Sequence, residues 1–173
     1  YKAKGKIDES DPKWETMQDV FRQKDGCVEL LYQAFPFTSV RHPDFEADDI
    51  IAHYARLHKE DDVVIASGDS DFIQLLTDEN PQIKLYHPIK KDFVTPPDYD
   101  YLEWKAIRGD ATDNVPGIPR HGDKTAEKIV RDPEIFEKKL EDPEWEAQFL
   151  RKLSLIRIDE ITQTEIDGIQ VVE

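Results

Sequence analysis

The sequence predicts an α/β protein with a layered, mostly parallel sheet and helices on both of its faces. Strand-like and helical segments alternate along the 173 residues, and this order builds such layers. Residues 62–66, DVVIA, form a short β-branched run of the kind that is buried in a parallel sheet. Eight Phe, six Tyr and three Trp supply large apolar side chains for a core, which argues against a disordered chain.

The first half of the chain contains two helices and two β-like runs. Trp14, Met17 and Phe21 follow helical spacing, although Gly26 interrupts the pattern. Pro36 ends that helix because it cannot continue the hydrogen-bond ladder. We predict, in order, a helix over 13–34, a short β-like run over 37–41, a helix over 46–58 and the strand over 62–66.

The second half is mostly helical after a short hairpin. A turn at Ser67-Gly68 follows the buried strand, and His87-Pro88 separates two short β-like runs. We predict a short helix over 71–76, strands over 83–86 and 93–95, and helices over 99–108, 123–131 and 143–156. We expect residues 1–103 to belong to the α/β domain and residues 104–173 to form a helical region.

Length and composition limit the classes of protein to which the chain can belong. Its 173 residues suffice for one domain with a real core. The formal charge is -15, no apolar run approaches the roughly 18 residues of a membrane span, and no secretory signal opens the chain. Cys27 is the sole cysteine, which excludes an intramolecular disulfide and a cysteine zinc cluster and is typical of a reducing compartment. We therefore expect a cytoplasmic protein with no membrane partner.

Carboxylates occur in three short clusters, each at a turn that borders a helix or a strand. If the fold brings them together, the resulting negative charge requires bound cations. Carboxylate oxygens favour hard ions such as Mg²⁺ or Mn²⁺, and two such ions a few ångströms apart are the usual device for hydrolysing phosphodiesters. The clusters are Glu46, Asp48 and Asp49; Asp69 and Asp71; and Asp110 and Asp113.

Each cluster also has a purely structural interpretation. Ligands of open α/β sheets bind beyond the carboxyl ends of the strands, and Asp69 and Asp71 follow a predicted strand. An Asp such as Asp71 is equally typical of a helix N-cap, and the acidic residues from Glu46 onward suit the first turn of a helix. The occurrence of three clusters together favours the metal interpretation.

Residues 104–131 differ from the rest of the chain in charge, with six basic residues against four acidic ones. The loop over 114–122 contains two glycines and two prolines and leads directly into a predicted helix. Backbone amides of such a loop, with the helix dipole, can hold a phosphate of a nucleic-acid backbone without base-specific contacts. Lys124 in the first turn suits a phosphate better than it suits the dipole. The alternative is an ordinary helix-loop-helix connection.

Three longer motifs surround the carboxylates: FEADDIIA at residues 45–52, SGDSDFIQLL at 67–76 and GDATDNVPGIPRHGDKTA at 109–126. In this order and at these separations they resemble the 5′-3′ exonuclease and flap endonuclease family. That family includes the 5′-nuclease domain of bacterial DNA polymerase I, and the tail LSLIRIDEI is most similar to the ribonuclease H type of T-even-like phages. The resemblance implies a PIN/FEN-like fold whose helical region contains a helix-three-turn-helix.

The resemblance also implies a role for each matching residue. The carboxylates expected around a first metal ion are Glu46, Asp48, Asp69 and Asp71, and those expected to serve a second ion are Asp49, Asp110 and Asp113. The residues expected to act in catalysis are Lys2, Asp69 and Asp71. The residues expected to bind DNA are Lys4, Gly117, Arg120, Gly122, Lys124, Thr125 and Lys128. A potassium ion held by carbonyls of the loop is a further expectation.

The start of the sequence departs from the family pattern. Tyr1-Lys2 matches the beginning of the element Y-K-x-x-R, so Lys2 is the candidate for the lysine that reaches the scissile phosphate. Gly5 stands where that element has arginine, and a lysine nearby replaces the charge but not the bidentate fork. Family members carry a strand and two further Asp ligands ahead of this element. We therefore expect an N-terminally incomplete sequence whose first strand is missing.

The implied function is removal of RNA primers and 5′ flaps by two-metal hydrolysis of phosphodiesters. The expected partners are duplex, forked or flapped DNA, RNA-DNA hybrid and replication proteins, in the cytoplasm of a phage-infected bacterium. Two alternatives remain open. One is a non-catalytic remnant that binds duplex DNA, and the other is a phosphatase with Asp69 as nucleophile and Asp71 as acid.

Overall fold

The computed structural model describes residues 11–58, 60–158, 161 and 170–172. These residues divide into two units, one formed by residues up to 43 with 170–172 and the other by residues between 44 and 161. In chain order the elements are α1 (Trp14–Ala34), β1 (Ser39–Arg41), α2 (Ala47–Leu57), β2 (Val63–Ala66), a 3-10 helix (Ser70–Leu75), β3 (Ile83–His87), β4 (Asp92–Phe93), α3 (Tyr101–Arg108), β5 (Gly109–Asp110), β6 (Val115–Pro116), α4 (Asp123–Arg131), α5 (Pro133–Leu140), α6 (Pro143–Ile156) and β7 (Gln170–Val172).

The first unit contains one long helix and one antiparallel strand pair. α1 continues through Gly26 for 21 residues, and none of its residues is buried. The ring of Tyr32 stacks on that of Phe37, with 4.3 Å between the centroids, and β1 pairs with β7. Apolar side chains of α1 such as Phe21 and Leu30 are exposed.

The sheet of the second unit is small and mixed. β2 and β3 run parallel, with Ile65 opposite Leu85. β4 returns antiparallel to β3, with Tyr86 opposite Phe93, because a tight turn connects them. The prediction of an α/β fold is confirmed. Within the described residues this sheet consists of the parallel pair β2–β3 and the antiparallel hairpin β3–β4. The carboxyl end of β2 leads directly into Asp69 and the 3-10 helix.

Aspartates begin three of the helices that follow the sheet. Asp100, Asp132 and Asp142 each accept a hydrogen bond from a backbone N–H two or three residues further along the chain. A cap of this kind stabilises a helix by about 1 kcal/mol. Pro133 and Pro143 occupy the first turn of α5 and α6, where a missing N–H leaves no partner unsatisfied.

Two hydrophobic clusters hold the second unit together. Full burial of a side chain such as Leu85 or Ile107 contributes about 1.5–3 kcal/mol. α3 contacts both α6 and the 3-10 helix, so the two clusters adjoin. The first cluster contains Ala52, Ala55, Ile65, Phe72, Leu75, Ile83, Leu85 and Ile158. The second contains Ala106, Ile107, Ile118, Ala126, Ile129, Trp145 and Phe149.

The predicted elements occur in the predicted order, but α5 and the short strands β5, β6 and β7 were not predicted. α4 and α6 have the predicted limits, and α1 and α2 begin one residue later than predicted. α5 was not predicted, although Asp132-Pro133 is the usual signal for the start of a helix. In the part of the chain that is described, none of the helices combines the length and the apolar character that a membrane span needs. The division at residue 103 stays a prediction.

Candidate metal centre and nucleic-acid interface

Three of the predicted carboxylates lie together in the second unit. Oxygens of Asp71, Asp110 and Asp113 all lie within 4.8 Å of one another. The side chains of Asp71 and Asp110 are only 13% and 9% exposed. The fold therefore brings the D-x-D segment next to the GDATD segment, as the metal interpretation requires.

Asp71 is held by the turn that follows β2. Asp69 Oδ1 accepts a hydrogen bond from the Asp71 backbone N–H at 3.0 Å, so Asp69 is the N-cap of the 3-10 helix. Ser67 Oγ accepts a hydrogen bond from the Asp69 N–H at 3.1 Å. Phe72 and Leu75 anchor the same helix in the core, where they are 3% and 2% exposed. The cap interpretation of this segment is thus true of Asp69, and it leaves the Asp71 carboxylate facing the cluster.

Asp110 is positioned by a tight crossing of two backbone segments. β5 and β6 form a two-residue antiparallel pair in which Gly109 lies opposite Pro116. Gly109 has a φ of +87°, and a Cβ there would lie 2.7 Å from the Gly117 Cα. Asp110 Oδ1 accepts a hydrogen bond from the Thr112 N–H at 2.7 Å. The glycine therefore allows the close crossing, and the turn then orients the carboxylate.

Lys105 is the functional residue that the sequence did not reveal. Its side chain is 4% exposed, and its Nζ contacts Asp71 Oδ1 and lies 2.6 Å from Asp110 Oδ2. Lys105 precedes Ala106 and Ile107, which are both fully buried. Nothing in the spacing of α3 marks the lysine, because three consecutive residues of the helix are buried.

Burial and the shared lysine shift the pKa values of the cluster. Burial raises the pKa of Asp71, assisted by the charges of Asp69 and Asp110, and outweighs the lowering by Lys105. Burial also acts to raise the pKa of Asp110, but hydrogen bonds from Lys105 and Thr112 outweigh it and hold that pKa below its ordinary value. Burial acts to lower the pKa of Lys105, but its bonds to the two carboxylates raise it overall. Asp71 and Asp110 thus share one lysine, but their pKa values are shifted in opposite directions.

The remaining predicted carboxylates lie outside this group of three. Glu46 and Asp49 form a capping box at the start of α2, in which the Glu46 N–H donates to Asp49 Oδ2 at 3.1 Å. Asp48 is half-buried, and its carboxylate makes no hydrogen bond or ion pair within the described residues. The structural alternative thus holds for two members of the FEADDIIA cluster, and the metal-binding assignment of all three stays a prediction.

The basic residues of segment 104–131 separate into two groups. Three of them are engaged within the protein: Lys105 in the carboxylate cluster, Arg108 with Asp123 at 2.7 Å and Arg131 with Asp98. The other three are exposed and make no ion pair in the described part of the chain. They are Arg120, Lys124 and Lys128. We call the surface of these three residues, with Gly122 and Thr125, the basic face.

Two glycines of the predicted DNA-binding loop have different surroundings. A Cβ on Gly117 would lie 2.6 Å from the Arg108 carbonyl carbon, whereas a Cβ on Gly122 would meet nothing within 4 Å. Gly117 is therefore required by packing against the end of α3, and this is a different reason from the approach of a phosphate. Gly122, the N-cap of α4, leaves open space in front of the helix. Arg120 has a φ of +67°, a conformation that is uncommon for a residue with a side chain. Lys2 and Lys4 lie outside the described residues.

Comparison with known proteins gives matches to one family. A family model described as 5′-3′ exonuclease, N-terminal resolvase-like domain, matches residues 1–103. DNA polymerase I of Rhizobium leguminosarum is 35% identical over 118 residues, which cover 62% of this chain and 11% of that protein. A 5′-3′ exonuclease of Bacillus subtilis strain 168 is 31% identical over 148 residues, which cover 79% of this chain and 48% of that protein. The chain thus spans less than half the length of either relative.

A solved structure shows the same fold. A mutant of the T5 5′-exonuclease aligns with a TM-score of 0.63 and 25% identity, over 80% of this chain and 65% of that chain. A second T5 structure, the D15 protein co-crystallised with metal ions, aligns with a TM-score of 0.66 at 23% identity.

Proposed function

The chain belongs to the 5′-3′ exonuclease family, and on this premise we propose that it is a structure-specific, metal-dependent 5′-nuclease. Its reaction would be the hydrolysis of phosphodiester bonds at 5′ ends and 5′ flaps. The observation that carries the proposal is the grouping of Asp71, Asp110 and Asp113, whose oxygens converge within 4.8 Å. Asp71 and Asp110 are 39 positions apart in sequence, and the negative charge that they and Asp113 concentrate is costly unless cations compensate it.

The donor atoms of this group suit a hard divalent cation. All three ligands are carboxylate oxygens, which favour Mg²⁺ or Mn²⁺ over softer metals. When bound, such ions supply Lewis acidity toward water and phosphate oxygens. We propose two ions: Asp110, Asp113 and Asp49 serve one, and Glu46, Asp48 and Asp69 serve the other. Asp71 adjoins both sets, because it follows Asp69 and lies beside Asp110.

The chain's own residues would place the nucleic acid against these carboxylates. Arg120, Lys124 and Lys128 are exposed cations that form no ion pair with the described residues, so they can contact backbone phosphates without base specificity. The start of α4 adds backbone N–H groups at Gly122, where no side chain obstructs an anion. Lys2 would contact the scissile phosphate and Lys4 a neighbouring one. Lys105 orients Asp71 and Asp110 from within the fold.

The finer assignments follow from the same premise. We propose duplex, forked or flapped DNA and RNA-DNA hybrid as substrates, replication proteins as partners, and the cytoplasm, including that of a phage-infected bacterium, as the compartment. Carbonyls of the loop over 114–122 would bind K⁺, and that loop with its flanking helices would form a helix-three-turn-helix. The end of the family match at residue 103 supports the proposed division into residues 1–103 and 104–173.

Substitution of single carboxylates tests the proposal. Asp71→Asn and Asp69→Asn should abolish cleavage of a 5′-labelled flap substrate in Mg²⁺, because each removes a charge that the ions need. Duplex binding should persist or improve, since less negative charge faces the phosphates. Asp78→Asn is the matched control, because Asp78 is exposed and outside the carboxylate group. It should cleave like the unaltered chain.

Three results would contradict the proposal. Cleavage at the unaltered rate by Asp71→Asn would remove this carboxylate group from catalysis. Duplex binding without any cleavage by the unaltered chain in Mg²⁺ or Mn²⁺ would favour the alternative of a DNA-binding remnant. A covalent phosphoaspartate at Asp69 would favour the phosphatase alternative, but the Asp69 Oδ1 already caps the 3-10 helix.

A further inference from the structure

Lys105 lies within the group of three carboxylate residues, Asp71, Asp110 and Asp113. We call these three residues the carboxylate group. The ammonium of Lys105 lies between Asp71 and Asp110, two of the three residues whose oxygens converge. The side chain is 4% exposed, so its contacts with these oxygens are shielded from solvent. A buried ammonium in contact with two carboxylates is itself a bound cation.

The oxygens of Asp110 are already engaged. Oδ1 accepts a hydrogen bond from the Thr112 N–H at 2.7 Å, and Oδ2 accepts from Lys105 at 2.6 Å. Asp71 Oδ1 also accepts from the lysine. A divalent ion that takes Asp110 as a ligand must therefore share an oxygen with the Thr112 N–H or the ammonium, or displace the ammonium.

Electrostatics makes sharing unfavourable. An ammonium and a divalent ion repel each other, and the repulsion is strong at short distance in a partly buried site. Asp110 keeps a second donor in the Thr112 N–H, so it would not be left without a hydrogen bond if the ammonium moved away.

We propose that Lys105 is a resident cation that competes with the divalent ion bound by Asp71 and Asp110. It holds the two carboxylates in place when no ion is bound there, and it moves away from them when the ion binds. The lysine thereby weakens the affinity of that ion and confers stability on the metal-free protein. This inference rests on the proposed function, because it requires a divalent ion at the carboxylate group.

Metal titration of three variants tests the competition. Lys105→Met removes the charge at similar length, Lys105→Arg keeps the charge, and Lys138→Met removes an exposed lysine of α5 that has no ion pair in the described residues. Binding of Mn²⁺ is measured by calorimetry at neutral pH without nucleic acid. Lys105→Met should tighten the weaker Mn²⁺ dissociation constant by about 5- to 150-fold, the usual range for coupled binding sites. Lys138→Met should match the unaltered chain, and Lys105→Arg should show no such tightening.

Thermal unfolding provides a second readout that a simple ion pair would not produce. Lys105→Met should melt at a lower temperature in EDTA, because two buried carboxylates lose their cation. Saturating Mn²⁺ should raise its melting temperature by more than it raises that of the unaltered chain. If Lys105→Met does not fold in EDTA, the Nζ resonance of Lys105 in the ¹⁵N-labelled unaltered chain replaces this comparison. That resonance should shift on addition of Mg²⁺.

Each opposite result has a distinct meaning. Unchanged or weaker Mn²⁺ affinity in a folded Lys105→Met variant would overturn the competition and leave the lysine a purely structural role. An Nζ resonance that does not move at saturating Mg²⁺ would overturn it in the unaltered chain. Absence of Mn²⁺ binding by the unaltered chain would overturn the proposed metal centre together with this inference.

Discussion

The carboxylate group and the basic face use cations in opposite ways, although they lie close together in sequence. In the carboxylate group, Lys105 is 4% exposed and contacts two carboxylates. On the basic face, Lys124 and Lys128 are exposed and unpaired among the described residues. The same type of side chain therefore compensates internal charge in one region and remains available to an external anion in the other.

The difference shows that a net charge does not identify a binding surface. Segment 104–131 has a small positive excess, yet three of its six cations form ion pairs with carboxylates of the same chain. Arg108, for example, lies 5.2 Å from the centre of the Trp104 ring and pairs with Asp123. Only the three unpaired cations can displace counterions from a nucleic acid, so the expected phosphate interface is smaller than the charge count suggests.

The largest effect is expected at the crossing that joins the two regions. Gly117→Ser places a side chain against the Arg108 carbonyl group and should cost about 4 kcal/mol or more, or prevent folding. Gly122→Ser is the matched control, since its Cβ meets nothing within 4 Å and serine is a good N-cap. It should change stability by no more than about 0.5 kcal/mol. Urea unfolding followed by circular dichroism measures both, and equal midpoints would show that the crossing can relax.

Removal of a buried charge should have the next largest effect. Asp110→Asn deprives Lys105 of one of its two carboxylate partners and should destabilise the protein in EDTA by about 3 kcal/mol, as breaking a buried ion pair does. Asp62→Asn breaks an exposed ion pair, in which the side chain of Asp62 is 85% exposed and that of Lys84 is 53% exposed. Its loss should cost about 0–1 kcal/mol of stability. Comparable losses of stability in the two variants would mean that the carboxylates around Lys105 are as well solvated as those on the surface.

Substitutions on the basic face should change the salt dependence of duplex binding and should not change the stability of the fold. Lys124→Ala and Arg120→Ala should each weaken duplex binding equally for all sequences and reduce the slope of log affinity against log salt by about one unit. Lys138→Ala removes an equal charge from α5 and should leave the slope unchanged. Fluorescence anisotropy at several salt concentrations measures the slope. An unchanged slope in both test variants would make the loop a simple connector.

The smallest effect is expected at an exposed pair that holds the end of α4. Arg131 donates to both oxygens of Asp98, one of them at 2.7 Å, and this hydrogen bonding lowers the pKa of Asp98 below 3.8. Because the folded-state pKa is the lower one, the stabilisation is present above pH 3.8 and is lost as pH falls through the folded value. The melting temperature of Asp98→Asn should therefore be slightly lower than that of the unaltered chain near neutral pH. A difference that persists in strong acid would indicate lost packing and not lost charge.

Sequence patterns predicted most of the fold because helix limits depend on local signals. α4 and α6 have the predicted limits, since an N-cap position and apolar spacing are properties of neighbouring residues. α5 was missed although Asp132-Pro133 marks its start, so that omission was not forced by the sequence. Of the seven carboxylates selected from the sequence, Asp71, Asp110 and Asp113 converge in the structure, and the metal-binding role of all seven stays a prediction.

The sequence by itself determined which charged residues the chain carries and which family the chain resembles. Only the tertiary structure decided that Asp71 converges with Asp110 and Asp113, while Glu46 and Asp49 cap α2. It also decided that Lys105 is internal and that Gly117 is needed for packing against α3. The physical reason is that burial and contact depend on residues distant in the chain. The free energy of a charge depends on its surroundings far more than on its identity.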